Sequence, residues 1–135
     1  MSSNLQLLAG RVLLSVIFIM AGFSKLGAVA GTAGYMASLG VPFPGLAVWL
    51  VIALEILGGL AILAGVFTRY TAWALAAFCV ATGFVGHYQP EDQTQMIMLM
   101  KNLAMAGGFL ALAVSGPGSL SVDARRAGGS QTQPA

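Results

Sequence analysis

The chain has 135 residues, 58% of them hydrophobic and only 7% charged, with a formal net charge of +2. A soluble domain carries about a quarter charged residues, so these apolar side chains have no polar surface to cover them. The same scarcity of charge excludes a nucleic-acid partner, and the lipid bilayer is the expected surrounding.

The first apolar segment covers residues 7–26, about the 20 residues that a bilayer span needs. Ala28-Val29-Ala30 resembles a small-x-small cleavage site, but the stretch before the apolar run holds no basic residue except Arg11, which disfavours a signal peptide. Arg11, Ser15, Phe18, Gly22 and Lys25 recur at steps of three or four and so share one helical stripe. Residues 27–45 form a glycine-rich linker with Pro42 and Pro44. Thr32 is the expected cap of a short helix over residues 33–39, which Gly40 ends. That helix is too short to span and is read as an interfacial or re-entrant piece.

Residues 46–67 form the second segment. Glu55 lies well inside it, and a carboxylate in hydrocarbon must face protein, a wet cavity or a cation. Glu55, Gly58, Ile62, Gly65 and Arg69 continue one stripe; small residues such as Gly22, Gly58, Gly59 and Gly65 let a neighbouring helix approach closely. Thr68-Arg69-Tyr70 reads as a tight turn. The third segment covers residues 71–86, with Ala72, Ala76, Cys79 and Gly83 on one face and His87 at its end. The single cysteine reads as a small buried hydrophobe. The fourth segment covers residues 96–114, with Lys101 and Asn102 in its first turns. Residues 121–135 form a polar tail with an end expected to be disordered.

The expected fold is therefore all-α: an integral membrane four-helix bundle over residues 1–120. Counting basic residues, the end with Arg11, Arg69, Arg125 and Arg126 is the richer one, so both termini are expected to be cytoplasmic. The separation of Arg11 from Lys25 equals that of Glu55 from Arg69, each roughly 21 Å along a helix. In antiparallel segments, setting Arg11 level with Arg69 sets Lys25 level with Glu55. Lys25 is then the expected partner of Glu55, with Lys101 the rival and His87 nearby.

Several pieces together resemble a known family. They are Arg11 with Ala21-Gly22-x-x-Lys25; Gly40-Val41-Pro42; Glu55-x-x-Gly58-Gly59; Gly65-x-x-Thr68-Arg69; His87; Lys101-Asn102-Leu103; and Gly116-Pro117-Gly118 with Ser121-x-Asp123. The chain is similar to the DoxX family of small four-helix bacterial inner-membrane proteins. The resemblance implies four transmembrane helices. It also implies association with redox enzymes, since members include a membrane subunit of a thiosulfate:quinone oxidoreductase and partners in oxidative-stress complexes. This chain lacks the cysteine pair that thiol redox chemistry of its own would need.

Three functions follow from these residues. The first is a non-catalytic or quinone-facing membrane subunit of a redox, oxidative-stress or detoxification system, with Lys25, Glu55, His87, Lys101 and Asn102 as the polar intramembrane cluster. Against it stands a structural reading, in which Glu55 and a lysine only fix helix register and His87 is an interfacial residue without a function. The expected walls of a pocket are Phe18, Phe84, Met98 and Met105. The second is a small-solute or ion carrier acting as a homo-oligomer, since an intramembrane carboxylate marks many pathways. The third, a stand-alone enzyme, has no nucleophile–base pair, no metal-ligand cluster and no phosphate-cradling loop to support it. A quinone is the candidate ligand, and a redox enzyme the candidate partner.

Overall fold

The computed structural model describes residues 1–129, arranged as six α-helices with no strand among the described residues. They are α1 (Ser3–Leu26), α2 (Val29–Ser38), α3 (Pro44–Ala64), α4 (Thr68–His87), α5 (Gln93–Ser115) and α6 (Val122–Gly129). Of these, α1, α3, α4 and α5 are long and apolar enough to cross a membrane. The expected all-α bundle of four spanning helices is the fold observed.

The bundle is two tightly packed pairs, α1 with α3 and α4 with α5, joined across a shared core. Glycines set the close contacts inside each pair. A Cβ on Gly22 would lie 2.5 Å from Ile56 Cγ1, and one on Gly59 would lie 2.8 Å from Ile19 Cγ1. A Cβ on Gly83 would meet Asn102 and Leu99 of α5 at 3.0 Å. Between the pairs, the Phe18 ring meets Phe109 edge-on at 5.4 Å and tilts against Phe78 at 6.3 Å. Ile62, Leu75, Cys79 and Leu112 complete this core. Leu13, Met20, Leu50, Leu57, Trp73 and Val114 point outward, as apolar side chains do where lipid is the solvent.

The loops differ from the sequence reading in three places. The second span ends at Ala64, with Gly65 as a left-handed cap at φ 72°, and α4 already begins at Thr68. The turn is therefore Gly65–Phe67 rather than Thr68–Tyr70, and Arg69 belongs to α4. The stripe through Glu55, Gly58 and Ile62 is buried as expected but stops there. The linker helix begins at Val29, so Thr32 is inside it, donating its hydroxyl to Ala28 O at 2.8 Å instead of capping. Pro44 opens α3, a first-turn position where its missing N–H costs nothing.

The C-terminal segment is folded back on the bundle as far as α6. Ser121 is buried, and the Asp123 N–H donates to Gly65 O at 2.9 Å. The disorder expected at the end of the tail concerns residues outside those described.

Candidate functional site

Lys25 meets Glu55 because α1 and α3 touch at Gly22. A Cβ on Gly22 would sit 3.2 Å from Glu55 Cβ. Lys25 follows Gly22 by three residues on the same helical face. Its Nζ donates to both Glu55 carboxylate oxygens at 2.9 Å. The Glu55 side chain is 7% exposed and that of Lys25 27%. Each charge is compensated where water is scarce, which is the condition for burying an ion at all. Of the two lysines considered for this role, Lys25 fills it.

The pairing also fixes the level of the helices. Lys25 is next to last in α1, whereas Glu55 lies in the middle of α3. Glu55 packs level with Gly22 and α1 ends four residues later, so of the stretch from Pro44 to Glu55 only the first part, roughly 10 Å, extends beyond the end of α1. The short helix α2 packs against α3 there. Its Tyr35 hydroxyl donates to Gly86 O near the end of α4 at 3.3 Å. This arrangement leaves a cavity of about 530 Å³ bounded by α1, α2, α3, α4 and α5. The volume falls in the range of small-molecule pockets.

Lys25, Glu55, His87, Lys101 and Asn102 all line this one cavity. Its apolar walls include Phe18, Phe78, Met36, Met98 and Met105. Phe84, an expected wall, is instead half exposed and packs against Tyr88. It is one residue past Gly83, which faces α5, so its side chain leaves on another face of the helix.

The hydrogen bonds define what the lining offers. His87 Nδ1 lies 2.7 Å from Gln95 Oε1. An amide oxygen only accepts, so Nδ1 is the donor in this contact and Nε2 is left out of it. Asn102 Nδ2 donates to Met98 O at 3.1 Å, leaving its carbonyl oxygen free of that bond. Thr82 donates its hydroxyl back to Phe78 O at 2.7 Å. Lys101 makes no ion pair among the described residues. No group of three histidine, cysteine, aspartate or glutamate side chains is gathered to hold a metal among them.

Arg11 and Arg69 stand at the opposite end of the bundle. Arg11 is 1% exposed and does not snorkel. Its Nη1 donates to Pro117 O at 2.8 Å, and its Nη2 to Leu120 O at 2.7 Å and Leu63 O at 3.3 Å. It ties the ends of α3 and α5 to α1. Gly65 makes room for it: a Cβ there would be 2.6 Å from Arg11 Nη1. Arg69 lies beside Gly116, where a Cβ would meet its Nη2 at 3.5 Å.

Asp123 completes this end. Its carboxylate accepts from the Phe67 N–H, the Thr68 N–H and the Thr68 hydroxyl at 2.8–2.9 Å. Burial raises the Asp123 pKa, but the Thr68 and Phe67 hydrogen bonds and the Arg126 charge outweigh it and hold the carboxyl below its usual value. The left-handed backbone of Phe67, φ 45°, is unusual for a bulky residue. The Asp123 contact and the Arg126 guanidinium 5.4 Å over the Phe67 ring hold it in place.

Sequence reasoning missed two partners. Gln95 stands out in no pattern of the sequence, although the short connection from His87 to the fourth segment limits which side chains the histidine can reach. Asp123 was noted only as part of a pattern. Its signal was being the single acid in a basic segment.

The chain matches the DoxX family model over residues 6–88. It is 46% identical to inner membrane protein YqjF of Escherichia coli strain K12, over 89% of this chain and 91% of that protein. It is 39% identical to inner membrane protein YphA of the same strain, over 88% of this chain and 89% of that protein. No solved structure matches it. The family match covers more than half of the chain, both relatives align along most of its length, and the chain therefore belongs to the DoxX family.

Proposed function

We propose that this chain is a bacterial inner membrane protein, with both termini cytoplasmic, whose intramembrane cavity binds a quinone-like molecule as part of a redox or oxidative-stress system. The observation that carries this reading is the convergence of Lys25, Glu55, His87, Lys101 and Asn102 on one largely apolar cavity. Aromatic and methionine walls suit a flat ring. Lys101 can donate to a ring carbonyl, and His87 Nε2 can accept from the hydroxyl of the reduced form. The pairing of Glu55 with Lys25 leaves no free carboxylate for a cation, which favours this occupant over a carried ion. The redox setting rests on the family resemblance, and a soluble oxidoreductase is the partner expected to copurify.

The test is equilibrium dialysis of the protein, purified in mild detergent, against a decyl-substituted benzoquinone. Saturable binding is expected, weakened about tenfold in His87→Ala and in Asn102→Leu at unchanged thermal stability. Absence of binding, or binding by both variants as tight as that of the wild type, would remove the quinone site.

A further inference from the structure

The charges around the cavity do not cancel. Lys25 and Glu55 neutralise each other, both carboxylate oxygens being held by the same ammonium. Lys101 lines the cavity too, and no carboxylate among the described residues pairs with it. It is eight residues into α5, about 12 Å from the start of that helix. The other acids are committed or distant. Asp92 accepts from the Thr94 and Gln95 N–H groups to cap α5, and Asp123 caps α4 at the opposite end. Glu91 is in the loop before α5 and does not line the cavity. A cation inside a spanning segment ordinarily faces a counter-charge.

We propose that Lys101 selects an anionic ligand: a flat apolar molecule bearing one ionised oxygen, such as an acidic hydroxyquinone, with that oxygen on the Lys101 ammonium. This deepens the quinone reading and rests on it. A neutral quinone offers Lys101 only a carbonyl. An ionised hydroxyl on the ring offers a charge-assisted hydrogen bond, roughly twice as strong as a neutral one. The Lys25–Glu55 pair then serves as a neutral polar wall. Lys101 is itself exposed, so it is the ring of the bound ligand, seated against the apolar walls, that shields the new ion pair from water. Binding requires no proton or electron transfer, because the ligand enters already ionised.

Two probes separate this inference from the broader one. The first is a 2-hydroxy-3-alkyl-1,4-naphthoquinone, which is ionised at neutral pH; the second is its 2-methoxy ether, which has no acidic proton. Each is titrated into wild type and Lys101→Met by equilibrium dialysis, with thermal unfolding recorded to confirm folding. The hydroxy compound is expected to bind wild type at least tenfold more tightly than the ether, and Lys101→Met to erase that preference while still binding the ether. A second variant, Lys101→Arg, should keep the preference. Equal binding of the two probes by wild type would overturn the role of Lys101 and leave the quinone site standing. A preference unchanged in Lys101→Met would do the same. Failure of both probes to bind wild type would overturn both readings.

Discussion

The Asp123 carboxylate accepts hydrogen bonds from both the N–H and the hydroxyl of Thr68, a residue 55 positions earlier in the chain. A side chain from the C-terminal segment thus does what a local N-cap does elsewhere, satisfying donors that the first turn of a helix leaves free. With Arg11 on the carbonyls of Pro117 and Leu120, it binds the segment from Pro117 to Asp123 to the bundle.

Asp123→Ala should therefore cost about 1 kcal/mol, the usual size of a lost cap, measured by reversible unfolding in detergent. The acid dependence has a definite sign. The folded-state pKa of Asp123 is lowered, so its contribution is whole above the unfolded value, about 3.9. It is lost as pH falls through the lower folded value. Asp123→Asn should flatten this acid limb, and an unchanged limb would show that the carboxylate does not stabilise the fold.

Lys25 and Glu55 should behave as a coupled pair. Removing one partner leaves a buried charge alone and costs about 3–5 kcal/mol, while removing both is far less damaging. Glu55→Gln and Lys25→Met should each destabilise more than the double variant. Additive losses in a double-mutant cycle would separate the two residues.

Close approach of α1 and α3 should depend on two glycines. In Gly22→Ala the new methyl meets Ile56 Cγ1 at 2.5 Å and the Ile56 nitrogen at 3.2 Å, so helix backbone must move. Gly59→Ala meets Ile19 Cγ1 at 2.8 Å and its nitrogen at 3.2 Å. Each should cost about 1–3 kcal/mol, as overpacking does. Gly10→Ala and Gly107→Ala meet nothing within 4 Å and serve as controls. Equal stability of all four variants would argue against this helix contact.

Topology can be read by labelling. Single cysteines at Ser38 and Gln93 should react with an impermeant thiol reagent in intact spheroplasts, and one at Ala127 should not. All three positions are exposed, while the native Cys79 is buried. The reverse pattern would turn the protein over.

The four spanning helices were legible in the sequence because hydrocarbon imposes one simple demand, some 20 apolar residues in a row. The polar cluster was legible because charge inside such a run is costly enough to stand out: Glu55, Lys25 and Lys101 are visible as exceptions. Even the Lys25–Glu55 pair followed from helical spacing, although the supposed helix through Arg69 breaks at Gly65. What the sequence could not decide was anything settled by contact rather than by period. Phe84 and Phe78 are equally apolar, but only Phe78 faces the cavity. Whether Arg11 reaches a headgroup or three carbonyls depends on where residues 117 and 120 return in space. The choice of Lys25 over Lys101 depends on the glycine contact that brings α1, and not α5, to Glu55. Such choices turn on distances between segments remote in the chain, and the helical period carries no information about them.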